Sequence, residues 1–131
     1  MDDPDFLTWE IVLALHRRSL ERWGGLDGIR DHAGAEAALG AAENAFFYGA
    51  SDLHEIGATY AFHLAECQAF LDGNKRTAAV CAGVFLEYNG CVDRSDDLEL
   101  YDAMIAISAR RMDKAGLAEL LRLQFPRAAG D

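Results

Sequence analysis

Phe70-Leu71-Asp72-Gly73-Asn74-Lys75-Arg76-Thr77 separates two apolar stretches and packs an acid, a glycine, an amide and two cations into the consecutive positions Asp72 to Arg76. Before it, Ile56, Tyr60, Leu64 and Cys67 recur at the spacing of one helix face. After it, Val80, Val84 and Tyr88 continue on one face with Cys81 and Phe85 beside them, until Asn89-Gly90 offers a left-handed C-terminal cap. The octet is therefore a loop between two helices, and the second of them opens near Asn74 or Lys75. That helix is almost wholly apolar, which predicts a central position.

Working outward, Leu7, Ile11 and Leu15 recur at four-residue steps from Phe6 to about Trp23, and Gly24-Gly25 stops this first helix. Ala35, Leu39, Ala42 and Phe46 share a face of a second helix over roughly 34–46. Phe47 to Ser51 breaks the pattern, and Asp52 followed by Glu55 is a capping-box signature that opens the third helix. Leu98, Tyr101 and Ile105 mark another helix over about 96–110, and Leu117, Leu120 and Leu121 a last one over about 114–123. There is no strand-like alternation of useful length, no internal repeat and no low-complexity linker. The expected fold is all-α, a compact single-domain bundle of about six helices over 1–131.

With 131 residues, 51% of them apolar, the chain can close a core without crosslinks. A formal charge of −10 and a pI near 4.7 repel nucleic acid, so no nucleic-acid partner is expected. Cys67, Cys81 and Cys91 form no C-x-x-C pair and none stands at zinc-ligand spacing from a His, which fits a reducing cytosol. Met1-Asp2-Asp3-Pro4-Asp5 is acidic where a secretory signal is basic, and no apolar run reaches the ~18 residues of a membrane span. A soluble, cytoplasmic protein with no membrane contact is expected.

The chemistry of the loop follows from its residue types. Gly73 permits a positive φ and a close approach to a ligand, while the helix behind it presents unpaired N–H groups and a positive dipole end. That arrangement binds anions, phosphate above all. Lys75 adds a point charge, Arg76 a bidentate fork, and Asn74 an amide donor for a third oxygen. Asp72 would repel phosphate unless a divalent cation lies between them, so it implies magnesium and, with it, a Mg-bound nucleotide. The alternative is structural: Asp72 caps the helix, Gly73 turns the chain, and Lys75 and Arg76 are merely solvated.

Gln68-Ala69-Phe70-Leu71-Asp72-Gly73-Asn74-Lys75-Arg76-Thr77-Ala78 resembles the Fic/Doc family motif H-x-F-x-[DE]-[GA]-N-[GK]-R, on a loop between two core helices as in that family. Lys75, where nucleotidyl-transferring members usually carry glycine, resembles the death-on-curing branch. Gly24-Gly25-Leu26, Ala58-Thr59-Tyr60 and Phe85-Leu86 with Asn89-Gly90 extend the likeness over most of the chain. The resemblance implies a toxin of a toxin–antitoxin pair that uses ATP and Mg to move phosphate to a hydroxyl of a host protein, elongation factor Tu by analogy. It also implies an antitoxin protein as partner, ATP bound by Asp72, Gly73, Asn74, Lys75 and Arg76, magnesium on Asp72, and catalysis by Asp72 and the residue at position 68, here Gln68. AMP transfer, and a non-catalytic relative that binds nucleotide or antitoxin, are the alternatives.

The departure is Gln68, which stands where the family carries the His that takes the proton from the attacking hydroxyl. A carboxamide has no useful basicity; it orients a hydroxyl but cannot deprotonate it, so transfer should slow by about 10²–10⁴-fold. His63 is turned about 140° round the third helix from Gln68 and reads as a core or groove residue. His54, beside the stretch 46–52 where the family carries a flap, reads as solvent-facing. His16 and His32 carry no assigned chemistry, Cys67 reads as a small buried hydrophobe, and Phe70 as an anchor for the loop.

Overall fold

Six helices form where the apolar periodicity places them, and five of them open on a side chain that caps the first turn. The structure, a computed structural model, describes residues 3–129. Its helices are α1 (Trp9–Trp23), α2 (His32–Phe47), α3 (Leu53–Cys67), α4 (Asn74–Tyr88), α5 (Asp97–Ser108) and α6 (Lys114–Gln124). Among the described residues the extended pairing amounts to two isolated bridges, Ile29 with Phe70 and Cys91 with Arg127. The fold is all-α.

Local chemistry sets the helix boundaries. α1 begins three residues after Phe6, at Trp9, because Thr8 is extended and its hydroxyl accepts the Ile11 N–H. Before it, the Leu7 N–H donates to the Tyr60 hydroxyl at 3.0 Å, and Phe6 meets the rings of Phe46 and Phe85. α2 starts at His32 because the Asp31 carboxylate accepts the Gly34 N–H. The Asp52–Glu55 capping box opens α3, and Asp96 and Asp113 cap α5 and α6.

The centre of the bundle is α3 rather than α4 alone. α3 packs against α2, α4, α5 and α6, and its small Gly57, Ala58, Ala61 and Ala65 let those neighbours approach. α4 buries Ala78, Cys81, Ala82, Phe85 and Leu86 against α1, α3 and α5. Val80 and Val84, expected to join that buried face, are only half-buried and line a cavity instead. Each fully buried Phe85 or Leu86 contributes about 1.5–3 kcal/mol through lost water contact.

The packing that matters for the motif loop comes from the α1–α2 connection. The Arg30 and Asp31 N–H groups both donate to the Ala69 carbonyl, at 2.7 and 3.0 Å, and the Leu71 N–H donates to the Gly28 carbonyl at 3.0 Å. A short antiparallel pairing thus pins residues 69–71 against residues 28–31, two segments some forty positions apart in sequence.

Candidate functional site

Gln68 is the C-cap of α3 and adopts φ 49° and ψ 57°, the left-handed region, which turns the chain out of the helix into the motif loop. Such backbone is unfavourable for most side chains and persists where its surroundings enforce it. The enforcement is the Ala69 and Leu71 pairing described above, together with Arg30, whose Nη1 donates to Gln68 Oε1 at 2.8 Å. The carboxamide oxygen is thereby engaged, and its NH2 group remains to meet an acceptor.

Phe70 anchors the loop by burial among aromatic rings. It is 2% exposed, lies parallel to the His16 ring at 3.6 Å between centroids, and stacks with Trp9 at 5.8 Å. Asn74, the first residue of α4, clamps the turn: its Oδ1 accepts the Phe70 N–H at 3.0 Å and its Nδ2 donates to the Phe70 carbonyl at 2.9 Å. The Asn74 amide thus faces the loop's own backbone, and the donor expected for a third phosphate oxygen is engaged in holding the loop closed.

Asp72 is exposed and its carboxylate is oriented by two backbone donors, the Gly73 N–H to Oδ1 at 2.9 Å and the Leu26 N–H to Oδ2 at 3.3 Å. Gly25 makes room for it, since a Cβ there would lie 2.9 Å from Asp72 Oδ2. Gly73 has φ +77° and provides no side-chain cap, so the first N–H groups of α4 face the loop without the carboxylate or hydroxyl that covers them in the other five helices. Lys75 follows in the first turn, half-buried and with no hydrogen bond or ion pair among the described residues.

Arg76 points elsewhere. Its guanidinium lies over the rings of Trp23 and Tyr101, 5.4 and 4.9 Å from their centroids, at one end of a cavity of about 340 Å³ lined by Val80, Val84 and Phe125. Stacking occupies the faces of the guanidinium and leaves its N–H edge for an anion. On the other side of the loop, Gln68 borders an open groove of about 990 Å³ whose far wall carries Arg110 and Arg111.

The remaining histidines and Cys67 fall into place by contact. His54, expected at the surface, is buried, and its Nε2 donates to the Phe125 carbonyl at 2.7 Å, tying α3 to the end of α6. His63 lies in a groove between α3 and α6, where Lys114 Nζ donates to its Nε2 at 3.2 Å; burial and the Lys114 charge hold its imidazole below its ordinary range. Burial pushes the Cys67 thiol up, which disfavours a nucleophilic thiolate.

Sequence reasoning missed His16 and Arg30. His16 is fully buried, and its Nε2 donates to the Asp72 carbonyl at 2.8 Å. The available signal was its position on the buried stripe Val12, Leu15, His16, Ser19 of α1, where a ring nitrogen must find a partner. Arg30 had no sequence signal, because its contact depends on the loop pairing.

The site can hold an anion between the α4 N-terminus and Lys75, and a hard cation beside Asp72. No group of three or more His, Cys, Asp or Glu residues able to hold a metal occurs among the described residues. A lone oriented carboxylate fits magnesium, which takes one or two carboxylates and completes its shell with phosphate and water. Among the described residues no helix is long and apolar enough to cross a membrane.

The model of the Fic/DOC family matches residues 6–86, which contain α1 to α3, the whole loop and all of α4 but its last two residues. The protein kinase Doc of Escherichia phage P1 is 37% identical over 114 residues, covering 86% of this chain and 90% of that protein.

Proposed function

The chain belongs to the Fic/DOC family, and from that premise we propose that it is a Doc-like toxin scaffold that binds Mg-ATP at the start of α4 and is built to transfer phosphate to a protein hydroxyl. The observation that carries this reading is the α4 N-terminus, uncapped, preceded by an oriented Asp72 and followed by an unpaired Lys75. Five capped neighbours make the bare end distinctive, and the added cation makes it a phosphate site rather than a frayed helix.

In this scheme the N–H groups of the first α4 turn and Lys75 hold terminal phosphate oxygens, and the Arg76 edge supplies a further donor. Asp72 would hold the magnesium, whose chemistry there would be to neutralise phosphate charge. Gln68 orients the acceptor hydroxyl through its NH2 group or its remaining oxygen lone pair, with Arg30 fixing the carboxamide. No group at this position takes the hydroxyl proton, so the expected rate lies about 10²–10⁴-fold below that of a His-bearing form. The host substrate proposed is elongation factor Tu, in the cytoplasm, and the partner is an antitoxin protein. A charge of −10 favours a basic antitoxin segment.

The Gln68–Arg30 hydrogen bond also favours a second reading, a binding-only relative, because it stabilises the carboxamide in a resting arrangement without a base. One experiment separates the two. The chain and its Gln68→His variant are incubated with magnesium, γ-labelled ATP and purified elongation factor Tu. Transfer by the variant, faster than the native chain by about 10²-fold or more, supports the kinase reading. Binding of Mg-ATP by both without transfer by either supports the binding-only reading, and absence of binding by both removes the nucleotide site. A parallel incubation with α-labelled ATP that labels the target, while γ-labelled ATP does not, would identify AMP transfer.

A further inference from the structure

The geometry points to His16 as a positioning residue for the loop carboxylate, acting on Asp72 through the backbone and never touching the ligand itself; this rests on the Mg-nucleotide reading of the loop. The Asp72 carbonyl can only accept, so the 2.8 Å contact requires the proton on His16 Nε2. The peptide that follows is planar, so fixing the Asp72 carbonyl toward α1 turns the Gly73 N–H the opposite way. That N–H is the one that binds Asp72 Oδ1 at 2.9 Å. A chain of two hydrogen bonds and one rigid peptide therefore runs from the imidazole on α1 to the carboxylate orientation at the start of α4. The His16 ring lies directly beneath Gly73, with Cδ2 and Nε2 3.8 Å from where a Cβ would stand.

Two further observations separate this role from ordinary core packing. His16 is 0% exposed, yet its Nδ1 has no hydrogen-bond partner. An unsatisfied buried nitrogen is unfavourable, and a phenyl ring would stack on Phe70 equally well without it. Stacking alone therefore gives no reason for His at this position, whereas a donor at Nε2 does. The arrangement has the form of a stability–function trade-off, with the orphan nitrogen as its stability side.

The discriminating variants are His16→Phe, which keeps the stack and removes both nitrogens, and His16→Gln, which keeps a donor at similar reach and loses the ring. Three quantities are measured on the native chain and both variants: melting temperature without ligand, solvent exchange of the Gly73 amide by NMR, and Mg-ATP affinity by calorimetry. The expected result is a crossed order. His16→Phe melts at or above His16→Gln, yet exchanges Gly73 about tenfold faster than native and binds Mg-ATP about 10- to 100-fold more weakly. His16→Gln melts lower but retains most of the affinity. Affinities that simply follow the melting temperatures, or native exchange and affinity in His16→Phe, overturn the inference. If the native chain itself binds no Mg-ATP, the nucleotide reading falls. The Gly73 exchange rate then decides alone, acceleration in His16→Phe supporting the positioning role and no change overturning it.

Discussion

At the start of α3, Asp52 accepts the Glu55 N–H, Glu55 accepts the Asp52 N–H in return, and Arg122 reaches across from α6 to the other Asp52 oxygen at 2.8 Å. At the start of α4, Gly73 contributes no side chain, and Asp72 turns its carboxylate onto Gly73 and Leu26 instead of onto the helix interior. Both ends face the same deficit of unpaired N–H groups. One closes it internally and gains stability; the other has no side-chain cap, forgoes the ~1 kcal/mol that a cap contributes and, on the reading proposed above, stays open for an external anion. On that reading, a missing cap beside a cation, in a fold whose other described helix starts are all covered, is a chemical feature and not an omission.

The contrast is most severely broken by Gly25→Ala. Its backbone sits at φ +123°, and the added Cβ would stand 2.9 Å from Asp72 Oδ2 and 3.1 Å from the Leu20 side chain. The variant is expected to lose about 1–3 kcal/mol of stability in denaturant melts and to weaken Mg-ATP binding at the same time. Lys75→Ala acts on one end only. Calorimetry should show Mg-ATP affinity falling roughly 10- to 100-fold, while stability stays within about 0.5 kcal/mol of native.

Asp52→Ala is the reciprocal change and the smallest. It removes the α3 cap, lowers stability by about 1 kcal/mol, and leaves Mg-ATP affinity unchanged. A pH series sharpens it. Burial raises the Asp52 carboxyl, but the Glu55 N–H and Arg122 outweigh burial and hold it below its ordinary 3.8. A carboxyl lowered by folding contributes stability above its unfolded pKa and loses it as pH falls through the folded value. The gap between native and Asp52→Ala should therefore be full at neutral pH and shrink below 3.8. A gap that persists in acid would show that the cap acts without its charge.

The helices were legible because apolar spacing and capping residues are local signals: Asp52 with Glu55, and Asn89-Gly90 after α4, mark boundaries by their own chemistry. Asp72 to Arg76 stood out for the same reason, as a polar cluster between apolar helices, whereas Gln68 stood out only through its place in the family motif. What the sequence hid was set by tertiary pairing. Arg30 reaches Gln68 because residues 28–31 pair with residues 69–71, and His16 reaches Asp72 because α1 packs on α4. Asn74 shows the limit from the other side: its amide was expected to donate to a phosphate oxygen, but its oxygen and its nitrogen both meet the loop backbone at Phe70. The outward reading of His54 failed because the α6 terminus covers it.

The left-handed backbone at Gln68 also bears on how readily this protein could be rearmed. Histidine is among the residues enriched in that conformation, so the loop accommodates it at φ 49° without new strain. Among side chains, the hydrogen bond that Gln68 makes is to the exposed Arg30, and the scaffold of Phe70, Asn74 and His16 stands independently of it. Glutamine and histidine codons differ only in the third base. On the reading proposed here, one transversion separates the weakened form from one that carries a general base. An antitoxin partner would then guard less against the protein now made than against its nearest mutant.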